Sequence, residues 1–307
     1  MPSANHLLRA FLVSNLLVVS LDARPDYNAT QRTGVSPVPA TEAPPAHGTV
    51  SITIEGDQRV IVADGLPDHA TGRFPNADNP NRIAAQHYRF TMPAKPVANA
   101  RPTALRAQPF GIAINGVLFD PGTAEFWQND PDSGWHYDAK GGAFSLGLDA
   151  NDAHVQPNGG YHYHGIPNVL LVRLARGRSA MTLLGWAAGG FPIYALWGHR
   201  AAGDGASELI ALRSSYRLKQ GARPTARGQP GGTYDGAFVE DFEYVAGSGD
   251  LDECNGRTGV TPEFPAGTYY YVLTTDFPFI PRYFRGTPDR SFERRGGPGR
   301  RPGPPPP

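Results

Sequence analysis

The sequence contains one cysteine and three methionines, and only 18% of its residues are charged. A single cysteine, Cys254, cannot form an internal disulfide. No histidine or methionine follows it closely, which argues against a type-1 copper site. The 28 basic residues balance the 28 acidic ones, so no nucleic-acid partner is indicated and other partners stay open.

Several motifs that identify enzymes and binding proteins are also missing. There is no Gly-x-Ser-x-Gly, no P-loop and no dinucleotide-binding fingerprint, which excludes those enzyme classes and a nucleotide cofactor. The acidic loop at 249–259 lacks the EF-hand spacing. Beyond the N-terminus no run of about 20 apolar residues exists, so we expect no membrane span after removal of the N-terminal segment.

Glycine, proline and aromatic residues are abundant: 37 Gly, 31 Pro, 13 Tyr and 15 Phe. This composition is typical of many turns and short strands. We therefore predict a mainly β single domain of short antiparallel strands, arranged as a sandwich or partly open barrel with long loops. An α+β arrangement is the alternative.

The two ends of the chain differ in composition from its middle. Residues 1–23 combine a positive charge at Arg9 with an apolar stretch, which predicts a signal peptide and an extracytoplasmic (periplasmic or secreted) protein. Residues 24–48 are a Pro-rich linker, 49–290 the folded domain, and 291–307 a basic Gly/Pro-rich tail predicted to be disordered.

Two segments predict similar hairpins. Residues 110–119, FGIAINGVLF, carry Asn115-Gly116 between apolar arms, which predicts a two-residue type I′ turn. Residues 184–194, LGWAAGGFPIY, align with them through Gly111 and Gly185 as a weak internal repeat, and we expect the two hairpins to face each other. The run 169–175 between them is predicted to be a strand.

The segment 151–167, NDAHVQPNGGYHYHGIP, contains three of the nine histidines. If Tyr161–His164 is extended, His162 and His164 point to one face and the two tyrosines to the other. The turn signal at 157–160 folds His154 back beside this pair. Three neutral imidazoles are a common first shell for zinc or copper, so His154, His162 and His164 are the candidate metal ligands. The alternative is a loop that the same side chains hold by hydrogen bonds alone.

Other residues could extend this site. His69, Asp152 and Glu253 form a second candidate set, because a loop histidine beside a carboxylate can bind metal or carry protons. Tyr161, Tyr163 and Trp135 are candidate pocket walls.

Six blocks in order resemble the YHYH domain family: PDHATGRFPN (67–76), NGVLFDPG (115–122), AHVQPNGGYHYHG (153–165), GWAAGGFPIYAL (185–196), LRSSYRLK (212–219) and YVAGSGDLDECNGRTGVTPEFPAGTYYY (244–271). The resemblance implies an exported bacterial protein and brings no list of catalytic residues. Gly189-Gly190 stands where similar proteins often have Asp-Gly, so any role of that carboxylate does not carry over.

Three functions remain open from the sequence. The first is an exported protein whose histidines hold zinc or copper. The second is a metal-dependent hydrolase, in which the metal keeps one position for water and Asp152 or Glu253 acts as the base. The third is a module that recognises a glycan or a protein without metal. Whether the protein is an enzyme is therefore not decided by its sequence.

Overall fold

The computed structural model describes residues 36–175 and 179–294. The predicted signal peptide, linker residues 24–35 and tail residues 295–307 lie outside the described residues. Within the described residues the strands are β1 (Val50–Glu55), β2 (Gln58–Ala63), β3 (Tyr88–Pro93), β4 (Thr103–Ala104), β5 (Gly111–Ala113), β6 (Leu118–Phe119), β7 (Ala153–Val155), β8 (Tyr161–Tyr163), β9 (Thr182–Ala187), β10 (Pro192–Ala195), β11 (Trp197–His199), β12 (Leu209–Ala211), β13 (Tyr216–Leu218), β14 (Phe242–Tyr244), β15 (Gly256–Gly259), β16 (Thr268–Leu273) and β17 (Tyr283–Phe284).

Helix is scarce in the same residues. The α-helix is α1 (Asn168–Ala175), and short 3₁₀ turns occupy Trp127–Asn129, Val239–Asp241 and Arg290–Phe292. No helix in 36–175 or 179–294 combines the length and the apolar character needed to cross a bilayer. The predicted mainly β fold is therefore confirmed.

An eight-stranded sheet forms the centre of the domain, in the order β15-β16-β10-β9-β5-β6-β8-β7. Most neighbours are antiparallel, but β10 pairs with β16 and β6 pairs with β8 in parallel. The order begins and ends on different strands, so these pairings do not close a barrel. The main apolar core packs against this sheet, and it includes both tyrosines of β8.

The two predicted hairpins are both present, but they lie side by side rather than face to face. Strand β5 pairs directly with β9, with Gly111 opposite Ala187 and Ala113 opposite Gly185. A Cβ on Gly111 would overlap the carbonyl oxygen of Trp186, and one on Gly185 would overlap that of Ile112. The aligned glycines of the repeat are therefore the points where the two hairpins approach most closely.

The turn of the first hairpin differs from the prediction. Only Gly116 has positive φ (+85°), whereas a type I′ turn needs it at both central residues. The Gly116 amide donates to the Ala113 carbonyl (2.9 Å) and the Ala113 amide to the Val117 carbonyl (2.8 Å). This is a three-residue loop ending in a left-handed glycine, and it directs the Asn115 side chain inward, where it is buried.

The prediction of a strand at 169–175 was wrong, because this segment is α1. The Leu171 amide donates to the Pro167 carbonyl (2.8 Å), and the Val169 amide donates to the Asn151 side chain (3.0 Å). Leu170 is fully buried against the core. Capping by Asn151 and burial of one face outweigh the weak β preference of this short apolar run.

Residues on both sides of the predicted domain 49–290 pack against it. Val38 forms a parallel bridge with Asp149, and Glu42 forms an antiparallel bridge with Thr71. At the other end, Phe292 is buried and stacks on Phe90 with ring centroids 4.2 Å apart. The described part of the linker and residues 291–294 thus belong to the folded body.

Candidate metal centre

The histidines are brought together by a β-hairpin. Strands β7 and β8 are antiparallel, and their register places His154 directly opposite His162. The connecting turn closes with the Gln156 amide donating to the Gly160 carbonyl (3.0 Å), and Gly159 adopts φ +87° within it. Residues opposite each other in such a pair share one face of the sheet, so the turn converts sequence spacing into side-by-side imidazoles.

His164 completes the group one residue beyond β8. Its amide donates to the Asp152 carbonyl (2.6 Å), which prolongs the ladder and keeps His164 on the same face as His162. The Nε2 atom of His164 lies 2.9 Å from that of His162 and 3.1 Å from that of His154. All three pairs of ring centroids are 4.7 Å apart, so the rings form a nearly equilateral triangle with their nitrogens converging at its centre.

Backbone carbonyls fix the orientation of two of these rings. The Nδ1 atom of His154 lies 3.0 Å from the Leu146 carbonyl, and that of His162 lies 3.2 Å from the Gly160 carbonyl. A carbonyl can only accept, so in the neutral ring Nδ1 carries the hydrogen and Nε2 keeps a lone pair. The Asn79 amide also lies 3.3 Å from His154 Nδ1, but it donates to the Val155 carbonyl at 3.0 Å, and the shorter Leu146 contact decides the tautomer.

The third ring is held less tightly. His164 Nδ1 is buried and makes no hydrogen bond of normal geometry. Against the larger effect of desolvation, the Pro121 carbonyl still raises the pKa of His164, as a nearby hydrogen-bond acceptor does. When His164 also carries its hydrogen on Nδ1, all three Nε2 atoms have a lone pair directed at the same point. The Nε2 atom of His164 is then within 3.1 Å of the Nε2 atoms of both neighbours. Such an arrangement is unfavourable unless a cation or proton lies among them.

Burial favours the neutral form of all three rings. His162 and His164 are each 2% exposed, and His154 is half-buried. Desolvation lowers the pKa of His154, and it lowers the pKa values of His162 and His164 well below the ordinary histidine value. The neighbouring imidazoles lower the pKa values of His162 and His164 further. Neutral imidazole is the form that binds a metal ion.

Tyr161 and Tyr163 lie on the other face of β8, as strand alternation predicts, and both are fully buried. The Tyr161 hydroxyl donates to Asp149 (2.7 Å), and the Tyr163 hydroxyl donates to His69 Nε2 (2.7 Å). His69 Nδ1 in turn lies 2.8 Å from the Ala70 carbonyl. These bonds fix the back of the hairpin, so they hold the histidine face in position.

The second candidate set is not assembled. His69 is engaged behind the hairpin, Asp152 forms an ion pair with Lys140 (2.6 Å), and Glu253 forms one with Arg285 (2.8 Å). Among residues 36–175 and 179–294, the one group of at least three potential ligands whose atoms converge is His154, His162 and His164.

The candidate pocket residues also separate. Tyr161 and Tyr163 are core residues, and Trp135 is 8% exposed in a satellite aromatic cluster with Phe238. A depression of about 260 Å³ beside that cluster is lined by Trp127, Tyr137 and Phe238 rather than by Trp135. A larger one of about 630 Å³ lies near Asp252 and Arg285. Neither is lined by the three histidines.

Asp120 is a polar residue of this region that the sequence did not single out. It is 2% exposed, and its carboxylate acts electrostatically on His154. Its position directly after the strand-like run at 117–119 was the available signal. Without the pairing of β6 with β8, nothing connected it with the histidines 34 or more residues away.

Comparison with known proteins places this hairpin within a recognised family. A family model described as YHYH protein matches residues 89–286, which include all three histidines. No curated protein matches the chain, and no solved structure does.

Proposed function

Since the chain belongs to the YHYH protein family, with the family match covering well over half of it, we propose that it is a metal-binding protein whose three histidines hold zinc or copper. The observation that carries the proposal is the convergence of the three Nε2 atoms, with separations of 2.9 and 3.1 Å from His164 to its two neighbours. The carbonyl contacts of His154 and His162 support it, because they leave both Nε2 lone pairs directed at the centre.

The donor set favours zinc or copper over harder ions. Imidazole suits both metals, whereas calcium and magnesium prefer oxygen ligands. Ligand atoms at about 2.0–2.1 Å from a tetrahedral zinc are roughly 3.3 Å apart. The observed separations are a few tenths of an ångström shorter, so a slight opening of the three rings would admit the ion. Cys254 is buried away from the group and contributes no thiolate.

Enclosure supports holding a metal rather than using it for hydrolysis. A hydrolytic zinc site keeps an open position that water and substrate can reach. His162 and His164 are almost completely buried, and of the three histidines only His154 is partly exposed. The two carboxylates considered as general bases, Asp152 and Glu253, are already paired with Lys140 and Arg285.

We further propose that the protein acts outside the cytoplasm. The support is the charged and apolar character of residues 1–23, together with the resemblance to exported proteins. In a protein that acts outside the cytoplasm, the site would sequester the metal or use it to stabilise the hairpin. Neither role requires a catalytic residue.

One observation favours recognition of a glycan as a second candidate function. The depression beside the satellite cluster is lined by the partly exposed rings of Trp127 and Tyr137, and flat aromatic rings give a sugar a large contact area. Titration of full-length protein with a panel of oligosaccharides, monitored by tryptophan fluorescence, tests it. A Trp127→Ala variant that keeps an unchanged response contradicts it.

The metal proposal is tested by elemental analysis of protein purified without a histidine tag. About one equivalent of zinc or copper per chain is expected, and chelator should remove it. Protein that contains neither metal, and takes up neither on addition, refutes the proposal and leaves recognition as the better explanation.

A further inference from the structure

Asp120 lies on the same face of the sheet as the histidines. Strand β6 runs parallel to β8 with Leu118 beside His162, and the Asp120 amide continues the pairing by donating to the Tyr163 carbonyl (3.0 Å). Residues two apart on a strand share a face, so Leu118 and Asp120 project from the histidine side. Gln156, two residues after His154, donates to Asp120 Oδ2 at 3.0 Å across that face.

This carboxylate supplies charge that the triad lacks. Three neutral imidazoles bring no negative charge, whereas a buried divalent cation is stabilised by a nearby anion. The carboxylates that act on His154 are Glu125, Asp120 and Asp149. Asp149 accepts the Tyr161 hydroxyl behind the hairpin, and Glu125 accepts the Ala124 amide at a more exposed position. Asp120 is therefore the buried carboxylate on the metal side.

In this structure Asp120 forms an ion pair with a surface arginine. Arg294 forms an ion pair with Oδ2, although the arginine side chain is 53% exposed and the aspartate side chain 2%. The chain before Arg294 is anchored separately: Phe292 stacks on Phe90, and Ser291 exchanges hydrogen bonds with Thr91. Arg294 can therefore leave the carboxylate by a side-chain movement alone.

We propose that Asp120 is the counter-charge of the metal site, and that Arg294 and the bound metal ion compete for it. The inference rests on the proposed metal binding at the triad. A metal ion bound at the triad adds a positive charge near Asp120, and this charge weakens the ion pair with Arg294. Because such coupling is reciprocal, the ion pair in turn weakens metal binding. Asp120 acts here through electrostatics alone, so its role does not require it to become a ligand.

The experiment measures zinc affinity of the full chain by competition with a chromogenic chelator. Arg294→Gln removes the competing cation and should tighten zinc binding about tenfold, whereas the charge-conserving Arg294→Lys should stay near wild type. Asp120→Asn should weaken binding about tenfold, because it removes a buried negative charge that acts on the histidine site. Arg290→Gln is the matched control, since its side chain is 92% exposed in the same segment.

A double-mutant cycle then separates coupling from general destabilisation. If Arg294 acts through Asp120, Arg294→Gln should have no effect on zinc affinity in the Asp120→Asn background. An equal effect in both backgrounds overturns the proposal. Equal zinc affinity of the Arg294→Gln and Arg294→Lys variants also overturns the proposal. This comparison does not depend on whether an Asp120 variant folds. Failure of wild type to bind zinc or copper refutes the proposed function itself, so the two failures are distinguishable.

Discussion

The sharpest test of the triad is the double substitution His162→Ala with His164→Ala. It removes two of three converging nitrogens and leaves His154, which cannot hold zinc or copper alone. Both residues are on one face of one hairpin, so the replacement leaves the Tyr161 and Tyr163 bonds on the opposite face untouched. We expect metal content to fall from about one equivalent to none.

The size of the stability change follows from linkage. A ligand that binds only the folded state stabilises it by about 4 kcal/mol when its free concentration is 1,000 times Kd. In a domain of this size 1 kcal/mol shifts Tm by about 2–4 °C, so chelation should lower the wild-type Tm by roughly 8–16 °C. The double variant should unfold at one temperature with or without chelator, because it has no bound metal to lose.

Tyr161→Phe provides the matched control. It deletes one of the hydrogen bonds that the Asp149 carboxylate accepts and leaves the bonds from the Gly72 and Asn151 amides in place. The loss of this bond to a charged group should cost about 1.5–3 kcal/mol, and the metal face stays intact. We expect lower stability with unchanged metal stoichiometry. Metal content, measured by elemental analysis, and Tm, measured by calorimetry, are compared for the three proteins. The reasoning is refuted if chelator leaves the wild-type Tm unchanged, or if the double variant still binds metal.

Three further predictions concern pH, a buried ion cluster and the N-terminus. Burial lowers the pKa values of the three histidines in the folded state, so below the unfolded value of about 6.5 the unfolded chain binds more protons. The stability that the neutral histidines contribute is therefore complete above that pH and declines as the pH falls toward their lowered pKa values. Urea unfolding of metal-free protein between pH 5 and 8 checks this. An unfolding free energy that does not change with pH in this range contradicts it. Arg223 is 6% exposed and lies 2.5 Å from both Asp235 and Asp241, so Arg223→Met should cost about 3–5 kcal/mol in urea unfolding because it removes the buried cation that both carboxylates share. A loss below 1 kcal/mol would show that the cluster is less important than its burial indicates. Finally, N-terminal sequencing of exported protein should find no residues before about Asn28, whereas an intact Met1 in soluble cytoplasmic protein would rule out the signal peptide.

Several features of this protein were determined locally by its sequence. The alternation of histidine and tyrosine at 161–164 requires two faces in any extended chain, because side chains on a strand have a period of two. The Asn158-Gly159 turn returns the chain over a short distance, so His154 had to come back near the pair. The mainly β character also follows from composition, because glycine, proline and aromatic residues disfavour long helices.

Local preference failed where a distant contact decided the outcome. Residues 169–175 have the apolar, β-branched character of a strand, but capping by Asn151 and burial of Leu170 make them helical. The Asn115-Gly116 pair predicted a type I′ turn, but Asn115 instead donates to Asp68 and Tyr163, and the loop adapts to that position.

The surroundings of the triad were decided only by tertiary structure. Asp120 reaches the histidine face because β6 pairs in parallel with β8, and Arg294 reaches Asp120 from 174 residues further along the chain. The same pairing pattern distributed His69, Asp152 and Glu253 to different partners, although their residue types suggested a common site. The physical reason is that hydrogen-bond register and core packing join segments far apart in sequence, whereas periodicity and turn chemistry act over only a few residues.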